Sequence, residues 1–309
     1  MATPSDPRPA RGIFLMILAV TLFTGMTALI KAADRIPAGE AVFFRAFLTV
    51  PLFLAWFGAR GEIVEALRTT SWVRHASRGL VGSVAMGLSF AGLKYLPLPE
   101  VTALKFATPI LIVILAALML GERVRLIRLS AVAVGLFGVV VILWPRLSVE
   151  GSTSELIGAA IVLGSALCAA FAQIFVKRMA GVENTSAIVF YFALTASTLS
   201  LFTIPFGWVW PEGWEWVFLI GAGCLGAAGQ LCLTASYRFA EAGTLAPFTY
   251  TSMIWAILIG WLVFAELPTV PMLLGSALII GAGFAIYLRE RQLGVRQATE
   301  GKVRAKGWQ

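Results

Sequence analysis

The chain has 309 residues, 59% of them apolar and only 13% charged, with a mean hydropathy of +0.87. A soluble domain of this size needs a largely wettable exterior, so the composition excludes one and makes lipid the natural solvent. The net charge of +8 does not point to nucleic acid, because the basic residues fall between apolar runs and sort by side of a membrane.

A helix crosses hydrocarbon with roughly 20 apolar residues. In chain order, such runs fall near 12–30, 39–58, 76–93, 99–120, 127–144, 155–176, 185–206, 215–236, 243–264 and 269–288. They are continuous, not the alternating stretches of a barrel. The expected fold is an all-α membrane protein of about ten transmembrane helices. The first run ends in Lys31 and is too long for the core of a signal peptide, so it is expected to be retained. Residues 1–11 form an N-terminal segment, 145–154 a polar linker, and 289–309 a basic, disordered tail.

With the amino terminus inside, the inner segments carry eighteen of the 24 Lys and Arg, Arg78 among them. The outer loops carry four, Lys31, Arg35, Lys94 and Arg146, while Arg45 and Lys105 fall within spans. The positive-inside rule then places both termini in the cytoplasm of a multi-pass inner-membrane protein. Trp208, Trp210, Trp214 and Trp216 gather at an outer turn as an interfacial belt, whereas Trp255 lies mid-span. Cys168, Cys224 and Cys232 all fall in spans and read as small buried residues, and His75 reads as an interfacial residue. No metal or cofactor is expected.

The two halves can be laid on one another. A shift of 144 residues puts Gly79, Gly82, Ala91, Leu118 and Glu122 on Gly223, Gly226, Ala235, Leu262 and Glu266. A shift of 146 puts Lys31 on Lys177 and Leu48-Thr49 on Leu194-Thr195. The same shift puts Ser130, Ala131 and Gly135 on Ser276, Ala277 and Gly281. Five spans per half (12–144 and 155–288) invert the second half, so Glu122 is expected inside and Glu266 outside. Small residues at Ala131/Gly135 and Ala277/Gly281 let the fifth and tenth spans pack closely, on each other or on a second protomer in a homodimer.

Matched, interrupted spans mark the binding site of carriers with internal repeats. Thr102, Lys105, Phe106 and Pro109 share one face of the fourth span, and the register places Ala246, Thr249, Tyr250 and Met253 on the ninth. Pro109 and Pro247 each remove a backbone donor and break their helix. Lys105 either snorkels to the interface or offers an ammonium to an anionic group of a small-molecule substrate. Gln173 and Gln230, the side-chain amides within spans, are either helix glue or cavity lining, with Trp255 as a further candidate lining residue. Arg45, whose counterpart is Tyr191, reads as interfacial or structural.

The expected spans, the two repeats, the Gly121-Glu122 and Ala265-Glu266 pairs that end them and the glycine-rich helix that follows resemble the EamA-type drug/metabolite transporter superfamily. The resemblance covers about residues 12 to 288 and looks most like the branch that exports aromatic amino acids. It implies a secondary carrier, embedded in membrane lipid, that exports aromatic or other neutral amino acids by alternating access. Another metabolite or an amphiphilic drug would use the same architecture, although a phosphate-rich cargo calls for more cavity cations than Lys105 alone. A membrane-embedded enzyme would need paired carboxylates or histidines near the interface, and none stands out. A receptor would not need matched broken helices.

Overall fold

The structure is a computed structural model that describes residues 9–120, 126–147, 153–179, 182–240, 245–285 and 288. Glu122, residues 148–152 of the linker and the basic tail lie outside the described residues. The apolar runs form helices α1 (Pro9–Ala32), α2 (Ala38–Gly58), α4 (Trp72–Gly92), α5 (Leu98–Lys105), α6 (Ala107–Leu120) and α7 (Leu126–Leu147). The second half continues with α8 (Thr153–Met179), α9 (Thr185–Leu201), α10 (Trp214–Phe239), α11 (Thr251–Phe264) and α12 (Val270–Ala285). A short α3 (Ile63–Leu67) and 3-10 turns at Ile204–Phe206 and Ala246–Tyr250 complete the described elements.

Five helical stretches are long and apolar enough to cross a bilayer: Ala10–Ala32, Ala38–Gly58, Leu98–Leu115, Thr153–Val176 and Trp214–Ser236. Ser130–Pro145, Ser186–Leu201, Phe248–Phe264 and Val270–Ala285 are apolar but shorter. Helix α4 has the length but is diluted by Arg74, His75, Arg78, Ser83 and Ser89. Helix α9 stops at Leu201 and not at 206, giving way to a 3-10 turn around Pro205.

Because lipid is as apolar as leucine, shape complementarity holds such a bundle together more than expulsion of water does. The most extensive contacts run between α1 and α10, between α4 and α8, and between α2 and α9, with α10 also against α2 and α4 against α9. The main core joins residues of both halves, among them Met26, Ala46, Leu104, Ile110, Val162 and Ile279. Helices α7 and α12 approach backbone to backbone at Gly138 and Gly275. A Cβ on Gly275 would sit 2.5 Å from the Gly138 carbonyl oxygen, and one on Gly138 would sit 2.8 Å from that of Gly275.

The expected small-residue contact is therefore displaced. Ala131 and Gly135 are buried, and Gly135 backs onto Ile110 and Ala282. Ala277 and Gly281 are exposed, with nothing within 4 Å of a Cβ built on Gly281. Gly275 faces α7, and a residue two positions on points to the far side of the helix, which is where Ala277 falls. The cysteines also depart from expectation: Cys224 is exposed and the other two are only half-buried.

Candidate functional site

Proline sets the local geometry. Pro109 has no N–H to give the carbonyl of Lys105, so the fourth span splits there: α5 ends at Lys105, Phe106 turns, and α6 starts at Ala107. In the matching span, Pro247 lies in the 3-10 turn Ala246–Tyr250 that precedes α11. The two breaks meet. The rings of Phe106 and Tyr250 stand edge to face, 5.1 Å between centroids, and the Tyr250 hydroxyl lies against Gly283 of α12.

Lys105 is solvent-accessible at this junction. Thr102 beside it spends its hydroxyl on the Leu98 carbonyl one turn back, at 2.9 Å. Thr249 and Trp255 are half-buried near the second break. The amides are placed elsewhere. Gln230 lines a small crevice with Thr49, Phe53, Val189 and Ala227, between α2, α9 and α10. Gln173 is exposed on α8 and is not drawn to the junction.

Two arginines refine the sequence reading. Of the interfacial and structural readings of Arg45, burial favours the structural one: only 7% of it is exposed, and its side chain crosses α10 at Gly226, where a Cβ would meet its Cγ at 3.3 Å. Arg78, expected at the inner edge, lies within α4, its guanidinium 4.0 Å from the centroid of Phe192 on α9. The Arg45 guanidinium shares that ring at 5.7 Å. Buried nitrogens of both (Nε of Arg45, Nε and Nη1 of Arg78) have no hydrogen-bond partner.

Ion pairs close the bundle at its two ends. At one end, Lys31 of α1 pairs with Glu266, which also accepts the Leu98 N–H at 2.9 Å, while Lys31 donates to the Leu96 carbonyl at 3.1 Å. Glu266 is aimed there by the end of α11, where Ala265 is left-handed (φ 55°) and the Glu266 N–H returns to the Gly260 carbonyl at 2.8 Å. At the other end, Glu183 accepts from the Thr70 hydroxyl, from its N–H at 3.1 Å and from His75 Nε2 at 3.3 Å. His75 is thus buried against Glu183 and Tyr191, not a plain interfacial residue. Burial alone would raise the Glu183 carboxyl, but donors on Thr70, His75 and Thr69 outweigh it and hold it at about 2.

Compared with known proteins, the chain matches the model of the EamA-like transporter family twice, over residues 10–144 and 156–288. The chain belongs to that family. Among its relatives are a pseudopaline exporter of Pseudomonas aeruginosa, 29% identical over 89% of this chain and 95% of the relative, and a riboflavin transporter of Rhizobium johnstonii, 30% identical over 92% and 93%. An S-adenosylmethionine uptake transporter of Rickettsia felis is 26% identical over 84% and 85%. A solved crystal structure superposes with a TM-score of 0.63, covering 92% of this chain and 99% of the other at 24% identity, and supports the fold. The EamA-like chain is accordingly a multi-pass membrane transporter of small molecules, and Arg45 is a charge buried inside it.

Proposed function

We propose that this transporter is a ten-span secondary carrier of the inner membrane, with both termini cytoplasmic. In this reading it exports amino acids or similar carboxylate-bearing metabolites by alternating access between two inverted halves. The observation that carries the reading is the meeting of the two helix breaks at Phe106 and Tyr250, with the accessible ammonium of Lys105 beside them. Lys105 would hold the substrate carboxylate, and the two rings would take its apolar part.

The packing supports a two-fold relation between the halves. If α1, α2, α4 and α5–α6 are matched in order with α8, α9, α10 and the Ala246–Phe264 span, the α1–α10 contact becomes α8–α4, which is present. The α10–α2 contact likewise becomes α4–α9, also present. The excess of basic residues in the expected inner segments supports the orientation. In that orientation the Lys31–Glu266 end is the outer one, and it is shut.

Counterflow in proteoliposomes tests the proposal. Preloaded amino acid should drive uptake of labelled amino acid, Lys105→Ala should weaken exchange strongly at undiminished protein abundance, and Lys105→Arg should restore it only in part. Normal exchange by Lys105→Ala would show that the lysine merely snorkels.

A further inference from the structure

The Lys105 site leaves Arg45 and Arg78 without a role. Both lie within the bundle and converge on the ring of Phe192, at 5.7 and 4.0 Å from its centroid. Their surroundings offer them little. Among the described residues, carboxylates pair with Lys31, Arg35 and His75 at the ends of the bundle, while buried nitrogens of Arg45 and Arg78 have no hydrogen-bond partner. One ring, Phe192, serves both guanidiniums, and a cation–π contact does not replace missing hydrogen bonds.

Like charges gathered in a low-dielectric interior repel and lack hydration, so they persist where a ligand supplies the counter-charge. A scaffold requirement would recur in both halves. It does not: in the repeat register Arg45, Arg78 and Lys105 fall on the neutral Tyr191, Ala222 and Thr249.

We infer that the Arg45–Arg78 pair on Phe192 takes a small organic anion with two or more negative charges, a dicarboxylate or a phosphate ester, whose second charged group is met by Lys105. The inference rests on the carrier reading above and narrows its substrate, replacing a neutral side chain with a second anionic group. The planar guanidinium fork suits either group, since carboxylate and phosphate both present two oxygens at matching separation.

The test uses the full-length protein in proteoliposomes and in detergent. The probes are L-aspartate, succinate, glycerol 3-phosphate and inorganic phosphate, set against L-leucine and L-phenylalanine. The dianions should exchange in counterflow and raise the melting temperature. Arg45→Gln and Arg78→Gln should each weaken dianion affinity by at least about tenfold, while raising the melting temperature of substrate-free protein because an uncompensated charge is gone. Arg78→Lys keeps the charge and should retain part of the affinity. Action by aspartate and succinate alone assigns the dicarboxylate, and action by the phosphates alone assigns the ester. Exchange of leucine or phenylalanine with dianions excluded overturns the inference and leaves the carrier standing, as does unchanged dianion affinity in both glutamine variants. Exchange of no probe by monodisperse protein removes both readings.

Discussion

The carboxylate of Glu266 binds the ammonium of Lys31 with one oxygen and the N–H of Leu98 with the other, so a single side chain ties α1, α5 and α11 together. Each partner also serves a backbone group, since Lys31 donates to the Leu96 carbonyl. Lys31→Ala and Glu266→Ala should each lower stability in detergent by about 1.5–3 kcal/mol, the range for hydrogen bonds to charged groups. Exchanging the two, Lys31→Glu with Glu266→Lys, should fail to restore the melting temperature: a lysine cannot accept from Leu98, nor a glutamate donate to Leu96. Recovery by the exchanged pair would reduce the contact to simple charge attraction.

The opposite end should respond to acid. Because the Glu183 carboxyl is held at about 2 against an ordinary value of 4.5, it stabilises the fold fully above pH 4.5 and progressively less as the pH falls toward 2. Glu183→Gln should therefore melt below the unmodified protein at pH 7, and the gap should narrow on acidification. A gap that stays constant with pH would separate Glu183 from this titration.

Close packing of α7 on α12 is testable at single atoms. Gly275→Ala places a Cβ 2.5 Å from the Gly138 carbonyl oxygen and should lower the melting temperature clearly. Gly281→Leu, with open space at its Cβ, should leave it unchanged. Equal effects at the two sites would put the contact elsewhere.

Ala265 is held left-handed, a conformation that costs a residue with a Cβ about 1–2 kcal/mol. Ala265→Gly should recover part of that energy and raise the melting temperature without disturbing the Glu266 contact. A lower melting temperature would mean that the methyl group packs better than the backbone angle suggests.

At the proposed substrate site, Tyr250→Ala removes one of two facing rings and opens space beside Gly283. It should slow exchange of bulky substrates more than small ones. A uniform loss across sizes would give Tyr250 a structural part instead.

Much of this was legible beforehand because hydrocarbon imposes a simple rule: continuous apolar runs of sufficient length become helices. The prolines announced the break at Phe106 and the 3-10 turn before α11, and the repeat register named Phe106 and Tyr250 as equivalents before their rings were seen to touch. Arg78 was missed because hydropathy starts the third span near 76, whereas α4 begins at Trp72 and carries the guanidinium well into the bundle. That Arg78 and Arg45 converge on Phe192 depends on α4 and α2 both packing against α9, which no single run of sequence records. Gln173 was a reasonable candidate by composition, but which way α8 turns is fixed by its neighbours, and the amide ends up exposed.

The interlocking of α1 with α10 and of α8 with α4 has a bearing on how the polypeptide assembles. Neither five-helix stretch holds its own first helix; each surrenders it to the other. A fragment ending at 147 would leave α1 without the surface that covers it, and a fragment starting at 153 would leave α8 in the same position. Synthesised singly, each piece should be cleared by proteases, whereas the two expressed together from separate messages should find one another and reconstitute the bundle, since the covalent join between them lies outside those contacts.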